Sequence, residues 1–505
     1  MSGLAACTSE PFEPNVVPKI TLTQDSVAFT AVVGGPIPDA RVLGELDSTA
    51  SKSLAVARVS YVGGPASGWL TAAIVTARVG QSAAQLTLAP TTQGLPAGSY
   101  SAMVTLTAQG AVPQTVSVTL VVYPALILAT VSVGGGSCGV ASNGAAYCWG
   151  LDLYGELGLG PTASVPAGTA GRVVGGLTFA AVSAGAWHTC GVTTGGAAYC
   201  WGDNQAGELG DGTTSGSQQC PGEPTPCSPT PVVVAGGLSF ASISAGTYTT
   251  CGVTSSGAAY CWGEGSSGQL GAGTAIVDTA TPVAVAGGLT FKSISVGSGL
   301  TCGVTSGDAA YCWGSNSQGA LGIGSFTSTG NATPVAVSGG LSFSAVSAGA
   351  GYACGVTATG AAYCWGANAA GELGNGSAAP SAAPVPVSGG LTFATVSAGQ
   401  GTTCGVTTGG IAYCWGGNAL GNLGNGTVTG PQQSPVAVSG RLTFTAVSVG
   451  AGAVTCGIAS SGVAYCWGSN EDGLLGDGIT SPDQCPPTTP YPCSATPLPV
   501  ADGSQ

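Results

Sequence analysis

Nineteen cysteines are the residues of this 505-residue chain best suited to chemistry, and their spacing says which chemistry. Setting Cys7 aside leaves eighteen, and all eighteen fall into close pairs. Seven pairs are ten residues apart: Cys138 with Cys148, Cys190 with Cys200, Cys251 with Cys261, Cys302 with Cys312, Cys354 with Cys364, Cys404 with Cys414, and Cys456 with Cys466. Two more, Cys220 with Cys227 and Cys485 with Cys493, close Pro-rich inserts. Thiolates in pairs either hold a metal or join. Zinc sites space their cysteines about two to four residues apart. That spacing is absent here, and His188 is the one histidine. The pairs are read as disulfides, with no metal and no other cofactor, in an oxidising compartment.

Other catalytic material is scarce. His188 lies in AWHTC, and the matching positions in later repeats are Thr249, Leu300, Tyr352, Thr402 and Val454. This variety predicts a rim or channel surface, with Trp187, His188, Tyr248 and Tyr352 as binding candidates. A Ser-His-Asp triad would depend on His188 alone, and no GxSxG elbow is present. Paired carboxylates could cleave glycosides. Glu156, Glu208 and Glu372, however, recur in GELG turns of separate repeats, which sets them far apart. The glycine-rich phrases do not match a phosphate loop. No catalytic constellation emerges, and a non-enzyme is expected. Eight Lys and Arg stand against 21 Asp and Glu, a net charge of −13, so nucleic acid and anionic membrane surfaces are poor partners.

The elements that position the cysteines follow from the spacing. The steps between successive first cysteines are 52, 61, 51, 52, 50 and 52 residues, a period near fifty that signals a repeat array or propeller. The long step holds the insert around Cys220 and Cys227. Within one phrase, Cys190 to Cys200, the seventh residue is Gly196, and six of the seven repeats have Gly there; the other has Asp308. A three-residue hairpin loop ending in a left-handed residue places the two cysteines directly opposite each other on neighbouring strands, as a disulfide requires. Alternation then puts Cys, Val192 and Ala198 on one face. Gly191, Tyr199 and Trp201 take the other, with the tyrosine ring expected across the bare glycine. Two further strands per repeat, such as Pro231-Val-Val-Val and Phe240-Ala-Ser-Ile-Ser-Ala, make four, as in a propeller blade.

WGDNQAGELGDG (201–212), WGANAAGELGNG (365–376), SAGAWHTCGV (183–192) and the GxAYCWG strand resemble the repeat of the regulator of chromosome condensation family, RCC1-like. The resemblance covers about residues 126–500 in seven units and implies a seven-bladed β-propeller. The paired cysteines depart from cytosolic and nuclear members and are similar to secreted bacterial ones. The family's best-known activity is guanine-nucleotide exchange on a small nuclear GTPase; no wedge motif supports it here. A relative with this repeat inhibits β-lactamases, which makes an inhibitor one version of a binding function. The first unit, from Leu126, lacks a preceding PVxV strand, and Pro497-Leu-Pro-Val500 is expected to enter the first blade and close the ring.

Residues 15–123 break the period. About seven alternating strands predict an Ig-like β-sandwich. GLPAGSYSAMVTLTAQGAVPQTVSVTLVV resembles BACON-type modules of bacterial surface proteins, with Trp69 either a core residue or a sugar platform. Leu4-Ala5-Ala6-Cys7 resembles a lipobox without its leader, so Cys7 is a lipidation candidate. The domains expected are a truncated lipoprotein signal and linker (1–14), the sandwich (15–123) and the propeller (124–505). The chain is all-β. It is expected to be a monomeric, extracellular or envelope-bound binding protein for a protein or glycan, reaching a membrane only through a lipid anchor. The alternatives are a propeller hydrolase or lyase acting on polysaccharide and, by family analogy, an exchange factor. The Pro-rich disulfide loops around Cys220 and Cys485 would stiffen a recognition edge.

Overall fold

The structure, a computed structural model, describes residues 19–46, 54–62, 67–75, 84–161, 165–166, 168–214, 218–220, 225–274, 277–478 and 492–504. Cys7 and Cys485 lie outside the described residues. The chain divides into two compact units, Met1–Tyr123 and Pro124–Gln505. Apart from one three-residue 3-10 turn, every assigned element is a strand.

The first unit has two sheets around one core. Strands β1 (Ser26–Val32), β7 (Gln114–Tyr123), β6 (Gly98–Thr107) and β3 (Ala55–Val62) form one. Strands β2 (Arg41–Leu46), β5 (Ala84–Pro90) and β4 (Leu70–Val75) form the other. Period-two alternation makes this possible: Leu86 and Leu88 of β5 face Val104, Leu106, Val116, Val118 and Leu120 across the core, all fully buried. Trp69 is 2% exposed, tilted against Tyr61 and Tyr100 with ring centroids 6.0 and 6.3 Å away. It is a core residue and offers no platform to a sugar.

The second unit holds seven antiparallel sheets in sequence order. The second runs Phe179–Ala184, His188–Thr193, Ala198–Asp203, Pro226–Val233, with Gln218–Gln219 added outside. In all seven the two cysteines of the hairpin are register partners. Cys138 faces Cys148 in the first sheet, Cys190 faces Cys200 in the second, and Cys251 faces Cys261 in the third. Cys302 faces Cys312 in the fourth, and Cys354 faces Cys364 in the fifth. Cys404 faces Cys414 in the sixth, and Cys456 faces Cys466 in the seventh. Each of these seven pairs is disulfide-bonded, with Cα atoms 4.0–4.1 Å apart. The second cysteines, Cys148, Cys200, Cys261, Cys312, Cys364, Cys414 and Cys466, are all fully buried, so the bridges lie inside the ring wall rather than on its surface. The glycine closing the hairpin is left-handed, φ +85° at Gly196, and Asp308 adopts φ +65° in its place. Cys220 and Cys227 are also joined, and Cys493 is in a disulfide.

The two faces of each sheet meet unlike faces of their neighbours. Between the second and third sheets, Cys190, Cys200, Val192, Ala198 and Leu209 pack on Phe240 and Trp262. Burying each tryptophan removes about 150–250 Å² from water, on the order of 5 kcal/mol before ordering costs. The ring lying on the bare glycine is the phenylalanine: a Cβ on Gly191 would stand 2.6 Å from Phe179. Tyr199, opposite Gly191 in register, shares that face but does not fill the space. Six of the seven seams are also pinned by an indole hydrogen bond, the exception being that of Trp149, whose Nε1 has no partner. The Trp201 indole donates to Glu156 O, and Trp262, Trp313, Trp365, Trp415 and Trp467 donate to the matching carbonyls of the sheets before them, at 2.8–3.0 Å.

The sheets form a closed circle. Ser132, Ser183, Ser244, Ser295, Ser347, Ser397 and Ser448 each accept, at 2.9–3.0 Å, a backbone N–H from the first strand of the next sheet; Ser448 takes that of Val133. A Cβ on Gly134, Gly185, Gly246, Gly297, Gly349, Gly399 or Gly450 would meet the next glycine's carbonyl oxygen at 1.9–2.8 Å, Gly450 returning to Gly134. Only glycine permits that collar.

The chain end corrects one expectation. Cys493–Pro499 pairs with Ala464–Ser469 and completes the seventh sheet, not the first. Each PVxV strand is the fourth of its own sheet, pairing with the CWG strand before it, as Val232 does with Cys200. The first sheet has its own fourth strand, Gly171–Arg172. Closure uses the residues beyond: Ala501 bridges Ala125, and Asp502 bridges Ala170.

Candidate functional site

Strand alternation sorts the connections between two ends of the ring. The turns between first and second strands and the connections between third and fourth share one end; the hairpins share the other. The charges divide the same way. From Pro124 on, the sequence has fifteen acidic and three basic residues. Lys292, at the start of a first strand, pairs with Asp308 of a hairpin, and Arg441 precedes another first strand, so both cations belong to the hairpin end. Asp152, Asp203, Asp211, Glu264, Asp278, Glu471 and Asp472 all belong to the other end.

At that acidic end the turn residue just before the second strand is Gly299, Gly351 and Gly401 in the fourth, fifth and sixth sheets. In the second and third it is Trp187 and Tyr248. Trp187 is partly exposed and Tyr248 is 36% exposed. The Trp187 indole lies near the Tyr248 phenol and acts to lower its pKa. Tyr154, from the first sheet's connection, stands edge-on to Trp187 with ring centroids 5.8 Å apart at 85°. Its neighbour Gly155, φ +81°, lets that connection lie on Pro229 of the second sheet, where a Cβ would stand 2.4 Å from the proline Cα. Leu153 beside it is 48% exposed. The sequence reading missed Tyr154. Its signal is LDLYGELG, aromatic where the other repeats have Ala206, Ser267, Gln318, Ala370, Leu420 and Asp472.

Electrostatics mark the same sector. Burial first, then the charges of Asp203, Glu208 and Glu264, raise the Tyr248 phenol above its ordinary range, against the lowering effect of the nearby Trp187 indole. Glu156 and Glu208 are 2% and 0% exposed. Burial drives both carboxyls up to about 8, offset in part by backbone N–H groups such as those of Tyr154 and Ala206. Their Oε2 atoms accept those N–H groups at 2.7 and 2.9 Å, and their Oε1 atoms have no partner. They sit in turns of different sheets and form no catalytic pair with each other.

The other two candidates are not on a rim. His188 is fully buried; its Nε2 is 2.8 Å from Thr250 Oγ1 of the third sheet, Nδ1 has no partner, and burial lowers its pKa to about 3. Tyr352 is also fully buried. Its hydroxyl donates to Thr402 O at 2.7 Å and accepts from Gly399 N and Thr403 Oγ1, and burial pushes its pKa upward. Both positions face the seam between sheets, so their variety reflects alternative packings there. The mouth of the ring is a cavity of about 90 Å³ lined by small residues, among them Ala186, Thr247, Ser298 and Gly349. No group of three or more metal-ligating side chains occurs among the described residues.

Comparison with known proteins matches residues 145–501 to the RCC1-like domain model. The E3 ubiquitin-protein ligase HERC2 of Homo sapiens is 29% identical over 357 residues, 69% of this chain and 6% of that protein. The ultraviolet-B receptor UVR8 of Arabidopsis thaliana is 28% identical over 250 residues, 49% of this chain and 54% of its own length. This chain thus spans a small part of the first and about half of the second. Yeast RCC1 (Prp20), solved bound to Kap60, superposes with a TM-score of 0.59 at 18% identity, covering 70% of this chain and 83% of that one. That likeness concerns the fold.

Proposed function

The chain belongs to the RCC1-like domain family, and from that premise we propose that it is a binding protein whose seven-bladed propeller engages a protein partner with its acidic, aromatic end. The observation that carries this reading is the Tyr154, Trp187 and Tyr248 cluster. Partly exposed Trp and Tyr are the residues that dominate binding energy at protein interfaces. A seven-bladed count fits the seven sheets of the second unit. A catalytic reading is less well served, because His188 is fully buried in a seam, bonded to Thr250, and does not line the mouth. Exchange activity on a GTPase rests on the family likeness alone.

The first unit is read as an Ig-like spacer of the BACON type. Its strand order supports this, as does the Tyr100 hydroxyl donating to Pro96 O at 2.8 Å near the start of β6, in the manner of a tyrosine corner. The eight disulfides between named cysteine pairs suit secretion by a bacterium, with Cys7 as the lipid-anchored residue and the propeller a monomer outside the membrane. A glycan is the second class of ligand, since aromatic rings also stack on sugars.

The test compares wild type with the double variant Trp187→Ala, Tyr248→Ala as baits on envelope and secreted fractions. A partner retained by wild type and lost by the variant, at nearly unchanged thermal stability, is the expected result. Identical capture profiles would overturn the reading.

A further inference from the structure

The acidic end pairs its aromatic residues with acids by backbone register. In the second to seventh sheets, the residue after the Trp-Gly of the third strand donates its N–H to the carbonyl of the turn residue. These bonds are Asp203 to Trp187 at 2.9 Å and Glu264 to Tyr248 at 2.8 Å. Ser315 to Gly299, Ala367 to Gly351, Gly417 to Gly401 and Ser469 to Ala453 follow at 2.7–3.0 Å. Among these six pairs, the partner is an acid only where the turn residue is aromatic.

Two further observations concern charge. Glu264 and Asp278 are register partners across the third and fourth strands of the third sheet, two acids directly opposite each other. Like charges so placed repel and cost stability. Within the second unit no described cation pairs with them: Arg172, Lys292 and Arg441 are the Lys and Arg residues from Pro124 on, and the ion pair found is Lys292 with Asp308. Lys292 and Arg441 belong to the hairpin end, and Arg172 pairs with Tyr147 within the first sheet. Beneath them, Glu208 is fully buried with an oxygen lacking any partner. Asp203 is 1% exposed, and its Oδ1 accepts the N–H groups of Asn204 and Gln205, so it contributes field rather than contact. Glu264 is partly exposed and Asp278 is exposed.

A cation placed here meets ring faces and unneutralised carboxylates together. We infer that Trp187, Tyr248, Glu264 and Asp278 form a receptor for arginine or lysine side chains on a basic segment of a protein partner. This rests on the binding function proposed above and names the chemistry of its partner. The rings supply cation–π attraction. The two carboxylates supply the ion pair and are relieved of their mutual repulsion. A neutral glycan could use the rings but would leave the repulsion in place.

The test is calorimetric titration of the full chain with an arginine-rich peptide and the same peptide with citrulline in place of arginine. A neutral oligosaccharide is the third probe. Expected is binding of the arginine peptide that weakens as salt rises and is at least about tenfold weaker for citrulline. The double variant Glu264→Gln, Asp278→Asn should lose a similar factor, as should Trp187→Ala. Trp187 emission should change on binding, since the other eight tryptophans are buried. Equal affinity for both peptides, or binding of the oligosaccharide alone, overturns the inference. If Trp187→Ala abolishes capture of a partner but the double carboxylate variant does not, the cation receptor fails while the binding function stands.

Discussion

The seams between sheets and the acidic end of the ring are built from the same strands, a few residues apart, yet they follow opposite rules. At the seams the disulfide, the tryptophan and the collar glycine recur in every sheet. At the acidic end the turn residue changes from tryptophan to tyrosine to glycine and its paired residue from acid to serine or alanine. Equivalent packing favours identical residues, and the seams depart from that at the position of His188, Leu300 and Tyr352, where different side chains fill the same buried place. Variation is what a surface contacting something irregular demands. The repeat thus keeps the residues that hold the ring together apart from the end proposed above as the binding site.

That contrast can be broken from the seam side first. Deleting residues 493–505 removes the fourth strand of the seventh sheet and the bridges to Ala125 and Ala170. The expected outcome is loss of the cooperative thermal transition; a folded ring with a near-native Tm would contradict closure at that point. Trp313→Ala empties a fully buried site and an indole bond to Gln269 O. It should cost about 3–5 kcal/mol in denaturant unfolding. Replacing both Cys302 and Cys312 by alanine should cost less, roughly 2–3 kcal/mol, because the hairpin register already holds the pair.

A smaller effect lies where seam and acidic end meet. Glu156 and Glu208 have folded-state pKa values raised from 4.5 to about 8. A carboxyl so shifted favours folding fully below its unfolded pKa, and that advantage is lost as pH rises towards about 8. Stability should fall across that window. The third sheet has Gln269 at this position, its Oε1 accepting Ser267 N at 2.8 Å. Glu208→Gln should therefore flatten part of the pH slope, leaving Tm higher than wild type at pH near 8 and little changed near 5. His188, lowered from 6.5 to about 3, acts the opposite way, losing stability as pH falls below 6.5. The smallest stability change belongs to Trp187→Ala, about 1 kcal/mol for the lost edge-on contact with Tyr154, although its effect on binding should be the largest.

The seams were legible in the sequence because geometry over-determines them. A ten-residue spacing with a glycine at the seventh place has one hairpin register that joins the cysteines. The phase of the repeat was less legible. PVxV precedes LTF in the chain, but the backbone pairs it with the CWG strand before it, and GRVV at 171–174 is a weak match to the pattern. That misplaced the final strand by one sheet. At the site, Trp187 and Tyr248 could be read as turn residues, while His188 and Tyr352 could not be told from them. Adjacent positions in a strand face opposite ways, and only the neighbouring sheet decides which is covered. Tyr154 was hidden because the partner that places it beside Trp187, Pro229, is distant in sequence.

Amide hydrogen exchange of the full chain with and without its captured partner tests the division most directly. Added protection is expected at residues 152–155, 186–188 and 247–249, on the acidic end of the first three sheets. Protection confined to the hairpins at 194–196 and 255–257, or spread evenly over all seven sheets, would contradict it.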